Sequence, residues 1–250
     1  MPREELPLEI ETFGAGRPLL FLHGEDYFAQ HRPFLDLLAR RHQVVVPRHP
    51  GFGGTVRPSW FRQVGDIAYL YLDLLEARKL TDVTVVGASF GGWVALEMAV
   101  RSTARIGRLA LLGSVGVKFS GREQRDIADT VAMSAEELAR HVFADPRRAP
   151  DYTALGEAEL ETIAADREAT VLYGWRPYLH NPALVHWLHR VAVPTLVLWG
   201  ESDRVAAPSY GERLAAAIPG SRFRAVAGAG HYPQVEQAEA VAAAIEEFAR

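Results

Sequence analysis

The 250-residue chain contains no cysteine, which excludes disulfide bonds, thiolate metal sites and a cysteine nucleophile. It has no apolar run near the roughly 18 residues of a membrane span, and residues 1–13 contain no apolar stretch of signal-peptide length. It also lacks a basic block, and its net charge is −4. We therefore expect a cytoplasmic protein without nucleic-acid partners or a membrane span. Whether the chain forms a homo-oligomer stays open.

What the chain does contain is a regular alternation of short β-branched runs and longer helical patterns. Its length is enough for one large α/β domain. The strand patterns stand at 7–13, 18–24, 42–48, 82–87, 106–113, 194–200 and 222–227. The helical patterns between and after them stand at 32–41, 66–80, 90–102, 209–218 and 235–250. This alternation predicts an α/β fold, with a mostly parallel sheet covered by helices on both faces.

The alternation is interrupted from about residue 117 to residue 190, where no strand pattern is visible. Helical patterns occupy 134–143, 157–173 and 182–190. Ser134 and Glu137 fit a capping box, and Pro182 fits the first turn of a helix behind Asn181. The segment 117–190 is thus predicted to be an all-helical insertion between two sheet strands. An insertion at the carboxyl edge of a parallel sheet lies where such sheets bind ligands.

A serine stands between two glycines where the fourth strand pattern meets a helix. Residues 87–91, GASFG, have the form G-x-S-x-G, which in this setting is typical of a nucleophile turn. The turn leaves no room for flanking side chains and places Ser89 over the start of a helix, where amide groups favour negative charge. Alone, the pattern also fits a glycine-rich connection that happens to hold a serine.

Five segments together extend this interpretation over most of the chain. They are FLHG at 21–24, HPGFGGT at 49–55, GASFGG at 87–92, LWGESDRV at 198–205 and GAGHYP at 228–233. In these segments and in their order the chain resembles the α/β-hydrolase superfamily. The resemblance implies an α/β-hydrolase core at 1–116 and 191–250, with a helical cap at 117–190. The expected chemistry requires no cofactor, and no cluster of residues has metal-ligand spacing.

Ser89 needs a base to take its proton, and histidine is the usual base. Of nine histidines, His231 alone follows the last strand pattern in a turn of small residues, at the same sheet edge as Ser89. Asp203 follows the strand pattern at 194–200 and completes the chain order serine, aspartate, histidine. Glu201 is the competing carboxylate, and the resemblance favours Asp203. The resemblance also implies that His23 packs beneath the oxyanion loop.

Two backbone N–H groups are expected to form the oxyanion hole, those of Phe90 and Glu25. The Glu25 side chain is interpreted as a solvated loop charge. Several residues are candidates for a substrate pocket, although packing within the cap or a surface position explains them equally well: Tyr27, Trp175, Arg176, Tyr178, His180 and Trp187.

The leading hypothesis is a serine hydrolase that cleaves a small to medium, mostly neutral carboxylic ester or lactone through an acyl-enzyme. Glu25 and Asp26 beside the oxyanion loop would disfavour a substrate anion. Carbon–carbon bond hydrolysis of a diketone-like, meta-cleavage-type substrate is the alternative. That branch tends to place a tryptophan after its histidine, where this chain has Tyr232. A ligand sensor that keeps the hydrolase pocket is the third hypothesis.

Overall fold

The computed structural model describes residues 8–25 and 28–250 of the chain. Its strands are β1 (Ile10–Phe13), β2 (Arg17–Leu22), β3 (His42–Pro47), β4 (Val83–Ala88), β5 (Ile106–Leu112), β6 (Gly116–Val117), β7 (His180–Asn181), β8 (Thr195–Gly200) and β9 (Arg222–Val226). Seven of them form one sheet in the order β1-β3-β2-β4-β5-β8-β9. Only β1 runs antiparallel to its neighbour, and the other pairs in this sheet are parallel. The predicted mostly parallel sheet is confirmed.

The α-helices are α1 (Arg32–Leu38), α2 (Val64–Ala77), α3 (Phe90–Arg101), α4 (Ala135–Val142), α5 (Glu157–Gly174), α6 (Leu184–Trp187), α7 (Pro208–Ala217), α8 (Pro233–Glu236) and α9 (Ala238–Phe248). Short 3-10 turns stand at Phe28–His31, Phe52–Gly54, Thr130–Ala132, Pro146–Arg148, Tyr152–Ala154 and Leu188–Arg190. None of the helices in the described ranges is long and apolar enough to cross a membrane.

The helices cover both faces of the sheet and give the protein two apolar clusters. One cluster joins the sheet to α2, α3 and α7, and the other joins it to α1 and α9. Strand β2 shows why both faces must be covered, because Leu20 and Leu22 enter the first cluster while Leu19 and Phe21 enter the second. All four side chains are fully buried, as expected for a central parallel strand.

Between β6 and β8 the chain is mostly helical, as the sequence predicts, and the Ser134–Glu137 capping box is confirmed. The prediction that this segment lacks strands is wrong, because β7 pairs in parallel with β6. A pair of two-residue strands is too short to show a period-2 pattern. Pro182 precedes α6 instead of entering its first turn, and Asn181 accepts a hydrogen bond from the Ala183 N–H.

The last helical pattern is also divided. The sequence predicts one helix over 235–250, whereas α8 and α9 are separated at Gln237, which has φ −131° and ψ 52°. The Gln237 side chain donates a hydrogen bond to the Gly228 carbonyl at 3.0 Å. This contact ties the break between the helices to the loop that follows β9.

A buried glutamate on α3 connects the sheet domain to the inserted segment, residues 117–190. Glu97 is 3% exposed, and its carboxylate accepts hydrogen bonds from Trp93, Arg101 and the Asn181 amide, the last at 2.8 Å. A buried carboxylate needs such partners because it has lost its hydration. Glu97 therefore holds β7 against α3, the helix that follows Ser89.

We expect Asn181→Ala to lower the free energy of unfolding by about 2 kcal/mol, the usual size for a lost hydrogen bond to a charged group. Urea unfolding followed by circular dichroism measures the loss. Glu136→Ala, which breaks an exposed ion pair with Arg140, is the control and should cost under about 0.5 kcal/mol. Equal losses in the two variants would contradict this role of Asn181.

Candidate active site

Ser89 occupies a strained turn between β4 and α3. Its backbone has φ 46° and ψ −112°, a conformation that non-glycine residues seldom adopt. A Cβ atom on Gly91 would lie 2.1 Å from the Leu22 carbonyl oxygen, and one on Gly87 would lie 2.5 Å from the Gly91 oxygen. The two glycines are therefore required by close backbone packing, and the turn directs the serine hydroxyl away from the sheet.

Ser89, His231 and Asp203 form one hydrogen-bonded series. The Ser89 Oγ lies 2.7 Å from His231 Nε2, and His231 Nδ1 lies 2.9 Å from Asp203 Oδ2. Asp203 Oδ1 accepts hydrogen bonds from the backbone N–H groups of Val205 and Ala206, which fix its orientation. All three side chains of the series are buried. The structure thus brings together the three residues predicted from the sheet edge.

The exposed Glu201 does not enter this series. The Asp203 carboxylate lies within hydrogen-bonding distance of His231, so the geometry favours Asp203 over its competitor. This arrangement holds the imidazole with its proton on Nδ1 and its lone pair on Nε2 facing the serine. In this arrangement the Ser89 hydroxyl can transfer its proton to Nε2 of His231.

The loop that carries His231 is fixed by a second buried carboxylate. Glu236 accepts hydrogen bonds from the backbone N–H groups of Gly230, Ala144 and Asp145. The His231 N–H also donates to the Val142 carbonyl, at 2.7 Å. The loop of His231 is thereby tied to the end of α4. Sequence reasoning missed Glu236, and its only signal was a carboxylate soon after the glycine-rich turn.

The electrostatic surroundings of His231 favour its charged form. Burial lowers the pKa of His231, but the negative charge and hydrogen bond of Asp203, together with the charge of Glu25, outweigh burial. The pKa is therefore raised above the ordinary value of 6.5. An imidazole with a raised pKa is a stronger proton acceptor for the serine.

His23 and His49 form a neutral support beneath this site. His23 Nδ1 donates to the Gly24 carbonyl, and its Nε2 accepts from the His49 N–H. His49 donates from Nε2 to the His23 carbonyl and accepts from the Tyr71 hydroxyl. Burial lowers the pKa of His49 to about 3 and that of His23 well below its usual range. The position implied for His23, structural support and not a base, agrees with these contacts.

Two other histidines are also buried, since His31 is 0% exposed and His42 is 3% exposed. Burial lowers the pKa of His31 to about 3, so its ring stays neutral. Its ring packs against Phe21 in the core.

The interpretation of the Glu25 side chain as a solvated loop charge is wrong. Its Oε1 accepts a hydrogen bond from Ser89 Oγ at 2.8 Å, and its Oε2 accepts from the Phe90 N–H at 3.2 Å. The Tyr232 hydroxyl donates to the same Oε2 at 3.0 Å. The carboxylate thus covers the serine and the start of α3. Spacing gave no signal for these contacts, and the Glu25 N–H as an oxyanion donor stays a prediction.

A cleft of about 460 Å³ is lined by the segment that follows β6 and by residues around β7. Tyr178 and His180 are among its lining residues, with Val117, Lys118, Arg122 and Asp126. The loop leading to Val117 contacts the Ser89 turn directly, because the Val115 N–H donates to the Ser89 carbonyl.

The remaining pocket candidates lie elsewhere. Trp175 and Trp187 are each 48% exposed, Arg176 is also exposed, and none of the three lines this cleft. Tyr27 lies outside the described residues. A role in substrate binding therefore stays a prediction for all six candidates.

Comparisons with known proteins agree with this architecture. The model of the alpha/beta hydrolase family matches residues 19–244. A 2-hydroxy-6-oxo-2,4-heptadienoate hydrolase of Pseudomonas putida is 29% identical, over 91% of this chain and 87% of its own length. A 2-hydroxymuconate semialdehyde hydrolase of Pseudomonas sp. strain CF600 is 28% identical, over 96% and 89%. The structure of a thermophilic esterase from Thermogutta terrifontis superposes with a TM-score of 0.77 and 26% identity, over 99% and 94%.

We expect the imidazole of His231 to titrate with a midpoint above 6.5, because Asp203 and Glu25 stabilise its charged form. Heteronuclear NMR of the ring nitrogens measures the midpoint. Asp203→Asn should lower it, since burial then acts against the charge with less compensation. Glu201→Gln is the matched control and should leave the midpoint in place. A wild-type midpoint below 6.5 would refute this electrostatic account.

Proposed function

The chain belongs to the alpha/beta hydrolase family, and from this premise we propose that it is a serine hydrolase acting on small to medium, mostly neutral carboxylic esters or lactones. One observation carries the proposal. Ser89 Oγ, His231 and Asp203 are joined by hydrogen bonds of 2.7 and 2.9 Å at the start of α3. This is the geometry that activates a hydroxyl for attack on a carbonyl carbon.

In the proposed reaction, neutral His231 takes the Ser89 proton while Oγ bonds to the substrate carbonyl carbon. The carbonyl oxygen becomes an oxyanion, which the Phe90 N–H stabilises. His231 then gives the proton to the leaving alkoxide, and the ester C–O bond breaks to leave an acyl-enzyme. Water, deprotonated by His231, attacks the acyl carbon, so that the acid is released and Ser89 regains its proton.

The neutral-substrate preference rests on the Glu25 carboxylate. It contacts both the hydroxyl of Ser89 and the N–H of Phe90, so its negative charge lies where a substrate must approach. A second negative charge placed close to it in this buried site would be repelled. Neutral acyl groups avoid this repulsion.

Carbon–carbon bond hydrolysis is a second candidate, favoured by two specific observations. The two relatives named above, at 29% and 28% identity, are a heptadienoate hydrolase and a semialdehyde hydrolase. The cleft that Tyr178 and His180 line is also lined by Lys118, Arg122 and Arg125, and Asp126 is the acidic member among its described lining residues. These basic groups suit a substrate that carries an acid group away from Glu25.

We expect a serine-directed phosphonate to add once per chain, on Ser89, as located by peptide mass spectrometry. Ser89→Ala and His231→Ala should lower turnover by roughly 10⁴-fold or more while leaving the fold intact. Asp203→Asn should also be severely impaired, because an amide permits the wrong imidazole tautomer. Glu201→Gln is the matched carboxylate control and should stay near wild type. Label on another residue, or an active Ser89→Ala variant, would overturn the proposal.

Substrate class is tested with matched neutral and carboxylate-bearing esters, a lactone and a meta-cleavage-type diketone. We expect the neutral esters to give the highest kcat/KM, because Glu25 repels anions near the nucleophile. Glu25→Gln should narrow the difference between neutral and charged esters. A faster diketone reaction would replace ester hydrolysis by carbon–carbon hydrolysis. Stoichiometric turnover of every substrate would indicate a ligand sensor instead.

A further inference from the structure

The Glu25 carboxylate occupies the place where a substrate carbonyl belongs. One of its oxygens lies 2.8 Å from the Ser89 hydroxyl oxygen, and the other lies 3.2 Å from the Phe90 nitrogen. The second oxygen also accepts a hydrogen bond from the Tyr232 hydroxyl, at 3.0 Å. Two donors from different parts of the chain therefore converge on one oxygen atom, next to the nucleophile.

We propose that the Tyr232 hydroxyl is an oxyanion donor together with the Phe90 N–H, and that Glu25 is a built-in occupant of this hole which the substrate displaces. The inference rests on the proposed function, because the oxyanion arises from attack by Ser89. Groups that donate hydrogen bonds to a carboxylate oxygen also suit a developing alkoxide oxygen, because both oxygens are negatively charged. The Tyr232 hydroxyl gives the oxyanion a second hydrogen bond beside that of the Phe90 N–H.

Tyr232 is held firmly enough for this task. Its side chain is 2% exposed, and its ring packs edge-on against His31 and His231, with centroids 5.8 and 5.1 Å away. A Cβ atom on Gly24 would lie 2.7 Å from the tyrosine oxygen, so the glycine at this position makes room for the hydroxyl. A donor fixed in advance needs no reorganisation when the charge develops.

Glu25 differs from Tyr232 because it also competes for the proton of the nucleophile. The Ser89 hydroxyl has one hydrogen, and both Glu25 Oε1 and His231 Nε2 lie within its reach. While the carboxylate accepts that hydrogen, His231 cannot. Glu25 is only partly buried, so part of the residue already faces solvent. When it leaves, the serine bonds to the histidine and both oxyanion donors become available.

The test compares Tyr232→Phe with wild type in the rate of phosphonate addition to Ser89 and in ester kinetics. We expect both rates to fall by about 10²-fold, with the loss in kcat and little change in KM, as for removal of one oxyanion donor. Tyr173→Phe is the matched control, because it removes a buried hydroxyl that donates to the Pro50 carbonyl. Unchanged rates in Tyr232→Phe would overturn the donor role.

The Glu25→Ala variant distinguishes two roles of Tyr232: a direct oxyanion donor, or a residue that only positions the Glu25 side chain. We expect Glu25→Ala to react with the phosphonate at least as fast as wild type, because the competing carboxylate is gone. Tyr232→Phe should remain as damaging in the Glu25→Ala background as alone. If the tyrosine effect vanishes there, Tyr232 acts only through Glu25, and the inference fails. If wild type itself is not labelled on Ser89, the proposed function fails instead.

Discussion

Close backbone packing at the Ser89 turn is the constraint on which the rest of the structure depends. The helix α3 approaches β2 so closely that Gly91 faces the Leu22 carbonyl without room for a side chain. In this turn Ser89 has a positive φ, and the Phe90 N–H that follows it donates to the Glu25 carboxylate, which also contacts the serine hydroxyl. The Ser89 carbonyl also receives the Val115 N–H, so the loop toward the inserted segment is positioned from the same residue.

Charge is distributed around this turn in layers. Beneath it, His23 and His49 are neutral, and their ring nitrogens form hydrogen bonds with backbone groups and with the Tyr71 hydroxyl. Beside it, His231 has a carboxylate partner and a raised pKa. Chemically similar side chains thus have different tasks, because one has a buried negative charge within hydrogen-bonding distance and the others do not.

The sequence was informative where local pattern decides structure. Strands, sheet type and the capping box at Ser134 follow from periodicity and side-chain chemistry. Ser89 is predicted from its G-x-S-x-G pattern and His231 from its place at the same sheet edge, whereas the choice of Asp203 over Glu201 depends on the family resemblance. Contacts between distant residues could not be predicted in this way. Tyr232 and Glu25 are 207 positions apart and meet only through the fold. The β6–β7 pair could not be predicted from the sequence, because a strand of two residues is too short to show an alternating pattern.

The three backbone N–H groups that donate to Glu236 have a consequence for the exchange of segments between related chains. One carboxylate joins the loop of His231 to residues 144 and 145, which follow α4, so this loop and the inserted segment share an anchor. The segment is therefore not a module that can be exchanged independently of the sheet. A chimera that replaces it without matching backbone donors would leave a buried carboxylate uncompensated and release the His231 loop from its position.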